Sequence, residues 1–203
     1  MLTFGITTTT KMASLCLFDD IKGVLCEISA EVSKTHSTTI IDQIDKMLEW
    51  SGKSLEDIDN VIVSVGPGSF TGVRIAIATV KGMFYGRDVS IFEVNELDAL
   101  AHRLVSVLNT LADKKIISMI DSNKEKIYYN EYIYFGGILK NVSEAGVIKL
   151  DDLLNKILNS DGKYILVGDA VLHYKEKIRN VVPEKVIFIE DVNLKITAST
   201  FVE

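Results

Sequence analysis

Apolar positions along the chain change period several times, and each change predicts an element. Residues 2–7, 13–18 and 24–30 read as three strands, with Asp19-Asp20-Ile21-Lys22-Gly23 as the turn between the second and third. From Thr39 the spacing becomes helical. Ile40, Ile41, Ile44, Met47 and Leu48 recur at helical intervals, residues 37–39 offer N-caps, and Gly52 stands just past the end. Ser54 with Asp57 predicts a short capped turn, followed by a strand over 60–65. A long apolar helix is predicted over 72–86, a strand over 89–94 and a helix over about 96–111. Apolar runs at 116–120 and 127–134 then restart a strand-rich stretch. It ends in alternation: helix 150–158, strand 163–167, helix 170–179, strand 185–189. Two halves that each open with strands and then alternate with helices predict a duplicated α/β architecture with a boundary near 95–112. Residues 197–200 read as a loop with capping residues, and Phe201-Val202-Glu203 as a helix barely begun.

Between the strand at 60–65 and the helix after it lies Ser64-Val65-Gly66-Pro67-Gly68-Ser69-Phe70-Thr71-Gly72-Val73-Arg74. Three glycines and a proline in so short a run specify a tight backbone path that side chains would obstruct. A glycine loop in this position can present backbone N–H groups to an anion at a helix N-terminus. It is not a Walker loop, because no Gly-Lys-Ser/Thr follows. Nor is it the dinucleotide Gly-x-Gly-x-x-Gly pattern, because Gly72 comes one residue late after Gly66 and Gly68. The loop thus has two readings, an anion cradle or a ligand-free strand-to-helix turn.

Composition narrows the class. The chain has 203 residues, 47% of them hydrophobic, enough for one large domain or two small ones. No apolar run approaches the ~20 residues a membrane helix requires, and Thr3 and the threonines at 7–10 break up any leader-like start. Cys16 and Cys26 fall on adjacent predicted strands and are expected to be reduced, buried small hydrophobes in a cytoplasmic protein. The net charge is −6, and the basic residues are scattered, with pairs such as Lys114-Lys115 but no dense cluster. A protein that grips nucleic acid alone concentrates basic residues on one face, so any RNA role calls for a partner that carries the RNA.

The string Gly66-Pro67-Gly68-Ser69-Phe70-Thr71-Gly72 resembles the signature of the bacterial TsaB (YeaZ) family, partner proteins in making threonylcarbamoyladenosine in tRNA. Leu55-Glu56-Asp57-Ile58-Asp59 before the strand, Arg74 and Lys81-Gly82 in the helix, and Thr8-Thr9-Thr10 with Ala13-Ser14-Leu15 agree with it. Later matches are thinner: Glu96-Leu97-Asp98-Ala99-Leu100, Ile120-Asp121 and Gly168-Asp169-Ala170. The resemblance implies the two-lobed actin-like ATPase (ASKHA) fold, with residues 1–98 as an N-terminal lobe carrying the partner-binding helices and 99–203 as a C-terminal lobe. It further implies a non-catalytic scaffold that pairs with a TsaD-type catalytic subunit, together with a TsaE-type ATPase, to modify adenosine beside the anticodon. On that reading ATP and metal belong to the partner subunits, none is bound tightly by this chain, and tRNA is reached only through the complex.

The same resemblance directs attention to particular residues. Thr7, Thr8, Thr9 and Thr10 stand where this superfamily has its first phosphate loop, and the family commonly has Asp where this chain has Thr7. A neutral hydroxyl replaces neither the charge nor the basicity of a carboxylate, so hydrolysis by this chain alone is not expected. The catalytic relative TsaD carries a His-x-x-x-His pair on a helix. Here the nearest equivalent, His36-Ser37-Thr38-Thr39-Ile40, ends in a residue that coordinates nothing, and no metal site is expected. Ser69 does not sit in a Gly-x-Ser-x-Gly elbow. Asp121-Ser122-Asn123 replaces the family's Asp-Ala-Arg, which puts any anion-binding role of that turn in doubt.

What remains is a surface. Ile40, Ile44 and Met47 from one helix, with Ile75, Ala78, Thr79, Gly82, Met83 and Gly86 from the next, are expected to form the face that pairs with TsaD, or with a second copy when TsaD is absent. Ala78, Gly82 and Gly86 would make a small-residue ridge that permits close helix approach. Burial against the protein's own sheet is the competing explanation for the same apolar pattern. The rival function is a free-standing nucleotide-dependent transferase or kinase of the actin-like superfamily. A complete Asp-bearing phosphate loop would favour it, and Thr7 counts against it.

Overall fold

The computed structural model describes residues 1–31, 39–104, 114–188 and 195–202. The chain divides into two compact units. The first comprises residues 1–96 together with the segment that begins at Thr197, and the second runs from Leu97 to Ile196. The expected division after residue 98 thus falls two residues earlier, between Glu96 and Leu97, and the C-terminal segment joins the first unit rather than the second.

The first unit is a mixed five-stranded sheet in the order β3-β2-β1-β4-β5, built from β1 (Leu2–Thr7), β2 (Met12–Asp19), β3 (Gly23–Glu31), β4 (Asn60–Ser64) and β5 (Ser90–Val94). β1, β2 and β3 run antiparallel, while β4 pairs parallel with both β1 and β5. Strand alternation decides the core. Leu2, Phe4 and Ile6 of β1, Ala13, Leu15 and Leu17 of β2, and Val61 and Val63 of β4 project to one face. There they meet α1 (Ile40–Ser51) and α2 (Phe70–Met83). Gly52, at φ 63°, closes α1 in the left-handed conformation that a glycine adopts without penalty.

On the opposite face, β1 meets the 3₁₀ turn Ala198–Phe201. A Cβ on Gly5 would lie 3.2 Å from the Ala198 carbonyl oxygen, so the missing side chain allows this close approach. The Ala198 N–H donates to Ser14 Oγ at 2.8 Å, and Ser199 Oγ donates to Glu27 Oε1 at 2.9 Å. These bonds explain why the C-terminal segment belongs to the first unit.

The second unit begins with α3 (Glu96–His102), whose first residue still belongs to the first unit. It repeats the topology around β6 (Lys114–Asp121). β7 (Lys126–Phe135) lies antiparallel on one side, β10 (Tyr164–Val167) and then β11 (Val186–Ile187) lie parallel on the other, and β8 (Ile138–Asn141) and β9 (Gly146–Lys149) both pair with β7. Three helices complete it: α4 (Leu150–Leu158), α5 (Asp169–His173) and α6 (Lys175–Val181). The helix expected over 170–179 is therefore two, parted at Tyr174. Of the helix expected over about 96–111, the structure shows Glu96–His102, and positions 105–111 lie outside the described residues. β8 and β9 have no counterpart in the sequence reading, because short edge strands carrying Lys140, Asn141 and Lys149 show little apolar alternation. Among the described residues no helix is long and apolar enough to cross a membrane. Cys16 is buried and Cys26 partly so, neither in a disulfide, with Leu17 rather than Cys16 opposite Cys26.

Candidate functional site

β1 and β4 are parallel neighbours, so Thr7 and Ser64 finish side by side at the carboxyl ends of their strands, where open α/β sheets usually place ligands. The threonine turn after β1 and the glycine loop after β4 pack directly on each other. The Ser69 N–H donates to the Thr9 carbonyl at 2.6 Å, and Thr8 Oγ1 donates to the Gly72 carbonyl at 2.6 Å. A Cβ on Gly68 would overlap the Thr9 carbonyl, and one on Gly72 would overlap the Thr8 carbonyl. These two glycines serve contact between backbones. Gly66 is different: its φ of 95° suits only glycine, and the bond to Pro67 is cis.

The side chains of the turn are as closed as its backbone. Thr7, Thr8 and Thr9 are buried, and only Thr10 is partly exposed. A polar strand-to-strand turn in water would look quite different. The acceptor that makes this burial tolerable is Glu96, itself fully buried. Its Oε1 accepts from Thr7 Oγ1 at 2.5 Å, from Ser64 Oγ at 2.7 Å, and from Thr9 Oγ1. Its backbone N–H donates to the Gly66 carbonyl at 2.8 Å. One carboxylate thereby joins the end of β1, the end of β4 and the glycine loop. Sequence reasoning treats Glu96 only as a thin family match. An acidic residue at the start of a helix ordinarily means solvent and a favourable helix dipole, and nothing local announces partners as distant in the chain as Thr7 and Thr9.

α2 starts from this cluster. Ser69 caps it, accepting from the Gly72 N–H at 3.2 Å, and Phe70, at 69% exposure, carries the Arg74 guanidinium 3.9 Å above its ring. Thr71 is exposed beside them. Further along, Ala78 and Gly82 are exposed, and a Cβ added at Gly82 would meet nothing within 4 Å. Ile75 and Met83 are partly buried against the unit's own core, and Thr79 lies between these two environments. Two expectations for this face need correction. Ile40, Ile44 and Met47 are 2%, 1% and 0% exposed because they are the side of α1 that packs on the sheet, so they cannot flank a partner. Gly86 does not continue the ridge, because α2 ends at Met83 and Gly86 sits in the following turn at φ 73°. The exposed side of α1 instead carries Ile41 and Trp50.

In the second unit, Asp121 and Asp169 meet at the ends of β6 and β10. Asp169 Oδ1 accepts from the Asp121 N–H at 3.0 Å, and Asp121 Oδ1 accepts from Tyr174 Oη at 3.2 Å and from the Asn123 N–H at 2.9 Å. Burial chiefly, and then the neighbouring Asp121 charge, push the Asp169 carboxyl above its ordinary value against backbone hydrogen bonds that pull it down. Gly168, at φ 117°, brings its backbone against the Met119 carbonyl, where any Cβ would overlap. His36 lies outside the described residues, and His102 and His173 are exposed. Among the described residues no group of three or more His, Cys, Asp or Glu side chains is placed to hold a metal.

Similarity to known proteins fits this geometry. The family model described as TsaD, tRNA N6-adenosine threonylcarbamoyltransferase, matches residues 16–200. Relatives named tRNA threonylcarbamoyladenosine biosynthesis protein TsaB include one from Buchnera aphidicola (subsp. Baizongia pistaciae), 31% identical over 70% of this chain and 64% of its own length. The chain belongs to the TsaD family, in its TsaB (YeaZ) branch. The TsaB proteins of Bacillus subtilis and Escherichia coli are 26% and 27% identical over 80% and 81% of this chain, and 69% of each relative is covered. The chain thus spans about two thirds of the length of the curated TsaB proteins it matches. The structure of YeaZ from Pseudomonas aeruginosa superposes at a TM-score of 0.72 with 20% identity, covering 99% of this chain and 88% of that one. An archaeal actin homologue, Ta0583, superposes at 0.51 with 10% identity over 98% of this chain and 97% of its own. The two mixed sheets with their helices are the actin-like ASKHA fold.

Proposed function

We propose that this TsaB-branch chain takes part in tRNA threonylcarbamoyladenosine biosynthesis as a non-catalytic subunit. It docks a TsaD-type transferase through the outer face of α2 and leaves nucleotide, metal and adenosine chemistry to that partner and to a TsaE-type ATPase. The observation that carries this reading is the closure of the first-unit loops. Gly68 and Gly72 are used up in contact with Thr8 and Thr9, and the turn's hydroxyls are directed at Glu96 instead of at a phosphate. A helix that presents Ala78 and Gly82 to solvent, with Phe70 and Arg74 at its start, suits close approach by a second helix. Without TsaD, the same face pairs with a second copy in a two-fold homodimer, because one patch can be its own complement. The setting is cytoplasmic, and tRNA is engaged only through the complex, in keeping with the net charge of −6.

The test is reconstitution of tRNA modification from purified components, with and without this chain. The chain alone is expected to neither hydrolyse ATP nor modify tRNA, and its omission is expected to stop modification by the remaining subunits. Full-rate modification in its absence overturns the proposal. So does ATP turnover by the chain alone that Thr7→Val abolishes.

A further inference from the structure

Glu96 is fully buried, and its surroundings are unusual. Burying an ion costs far more than burying a neutral polar group unless donors replace its hydration. Here three hydroxyls do so on one oxygen, from Thr7, Thr9 and Ser64. Those hydroxyls come from the carboxyl ends of two parallel strands and the turn after one of them, the part of such a sheet that ordinarily receives a ligand. Ser64 Oγ in turn accepts the Gly66 N–H at 3.1 Å, and the Thr9 N–H points to Thr7 Oγ1 at 3.4 Å. The donors around the carboxylate are therefore themselves held in place by the glycine loop and the threonine turn.

We infer that Glu96 is a built-in anion: the cluster at the ends of β1 and β4 is organised around one negative charge, which the protein supplies from the start of α3. This charge fixes the threonine turn to the glycine loop from which α2 starts, so Glu96 is a positioning residue for α2. It also fills with protein charge a place where loops of this kind would otherwise take a phosphate. The inference does not depend on the partner reading, because it concerns the isolated chain.

The cluster needs the charge more than it needs Glu96 in particular. Thr7 Oγ1 and Glu96 Oε1 are 2.5 Å apart, and the Thr9 hydroxyl and Thr9 N–H already surround Thr7 Oγ1 at 3.2 and 3.4 Å. A carboxylate moved to position 7 would find donors there, including a hydroxyl at position 96. The test is therefore a charge relocation. Glu96→Ser alone leaves buried hydroxyls without their acceptor, and Thr7→Asp alone sets two carboxylates against each other. Each single variant is expected to lower Tm by roughly 5–10 °C, from losses of a few kcal/mol in a chain of this size. The double variant Thr7→Asp/Glu96→Ser is expected to regain most of that loss. Glu96→Gln, which keeps an acceptor without the charge, is expected to fall between wild type and Glu96→Ser.

A double variant no more stable than the sum of the two losses overturns the inference, as does a Glu96→Ser variant as stable as wild type. If the single variants do not fold, recovery of folding in the double variant is the supporting result and its failure to fold the contrary one. A second arm uses sodium pyrophosphate on the wild-type chain. No rise in Tm is expected. A rise that Thr9→Val abolishes means that the hydroxyls serve an external anion, and the built-in one is then refuted.

Discussion

Gly72 and Gly82 stand on the same helix and answer to opposite demands. At Gly72 a Cβ would occupy the position of the Thr8 carbonyl, so Gly72→Ala must push apart two backbones that are hydrogen-bonded on both sides of the contact. Overpacking at such a point costs about 1–3 kcal/mol or more, and thermal unfolding should show a clear loss of stability. Gly82 faces open space on an exposed turn of α2, where alanine is the better helix former. Gly82→Ala should stabilise the isolated chain by about 0.5–1 kcal/mol, read by urea titration. If a partner helix approaches closely there, the same substitution weakens association while strengthening the fold. Asp169 gives a pH signature at the same scale. Its folded-state carboxyl titrates above the ordinary 3.8, so between 3.8 and that raised value the native state holds more proton than the unfolded one. Stability from this group is then fully present below 3.8 and is lost as pH rises through the raised value. Asp169→Asn keeps an acceptor for the Asp121 N–H and removes the titration. The variant should be more stable than wild type at pH 7, with the gap closing as pH falls toward 3.8 in a series of Tm measurements.

At the scale of elements, α1 separates a core role from a docking role. Ile44→Ala removes a side chain fully enclosed between α1 and the sheet and should cost about 2–5 kcal/mol, whatever partner is present. Its effect on association, measured at a temperature where the variant is folded, should be small. The helical spacing of Ile40, Ile44 and Met47 is legible in the sequence, and so are the strands β1, β2 and β4, because each sends alternate apolar residues into the core. What that spacing cannot say is which apolar surface the face meets. The same periodicity describes a helix on its own sheet and a helix on a partner, and here the sheet has it. The end of α2 is misread for a related reason: Phe84 is buried and prolongs the apolar pattern past Met83, although the backbone has already left the helix.

At the scale of the whole molecule, duplication was readable because strand–helix alternation occurs twice, and both units show the same strand order around β1 and β6. The crossing of the C-terminal segment back to the first unit was not readable. It depends on Gly5 leaving room for Ala198 and on Ser14 and Glu27 receiving N–H and hydroxyl groups from far along the chain. The site was half legible. The glycine loop and the threonines stand out as strings, whereas Glu96, which joins them, is visible only once β1, β4 and α3 are brought together.

On the proposed role, this chain docks a TsaD-type subunit on the outer face of α2. Ala78 is exposed there, so Ala78→Arg should leave the fold intact, which circular dichroism and an unchanged Tm would establish. A long cation set into a close helix contact costs several kcal/mol when it is left unpaired, and each 1.4 kcal/mol is tenfold in affinity. The direct measurement is sedimentation velocity of the wild-type and Ala78→Arg chains, each mixed with the TsaD-type protein of the same organism. A stable complex is expected with wild type, and separate species with a folded Ala78→Arg. A folded Ala78→Arg that binds as tightly as wild type, or a wild-type chain that forms no complex at micromolar concentration, would contradict it.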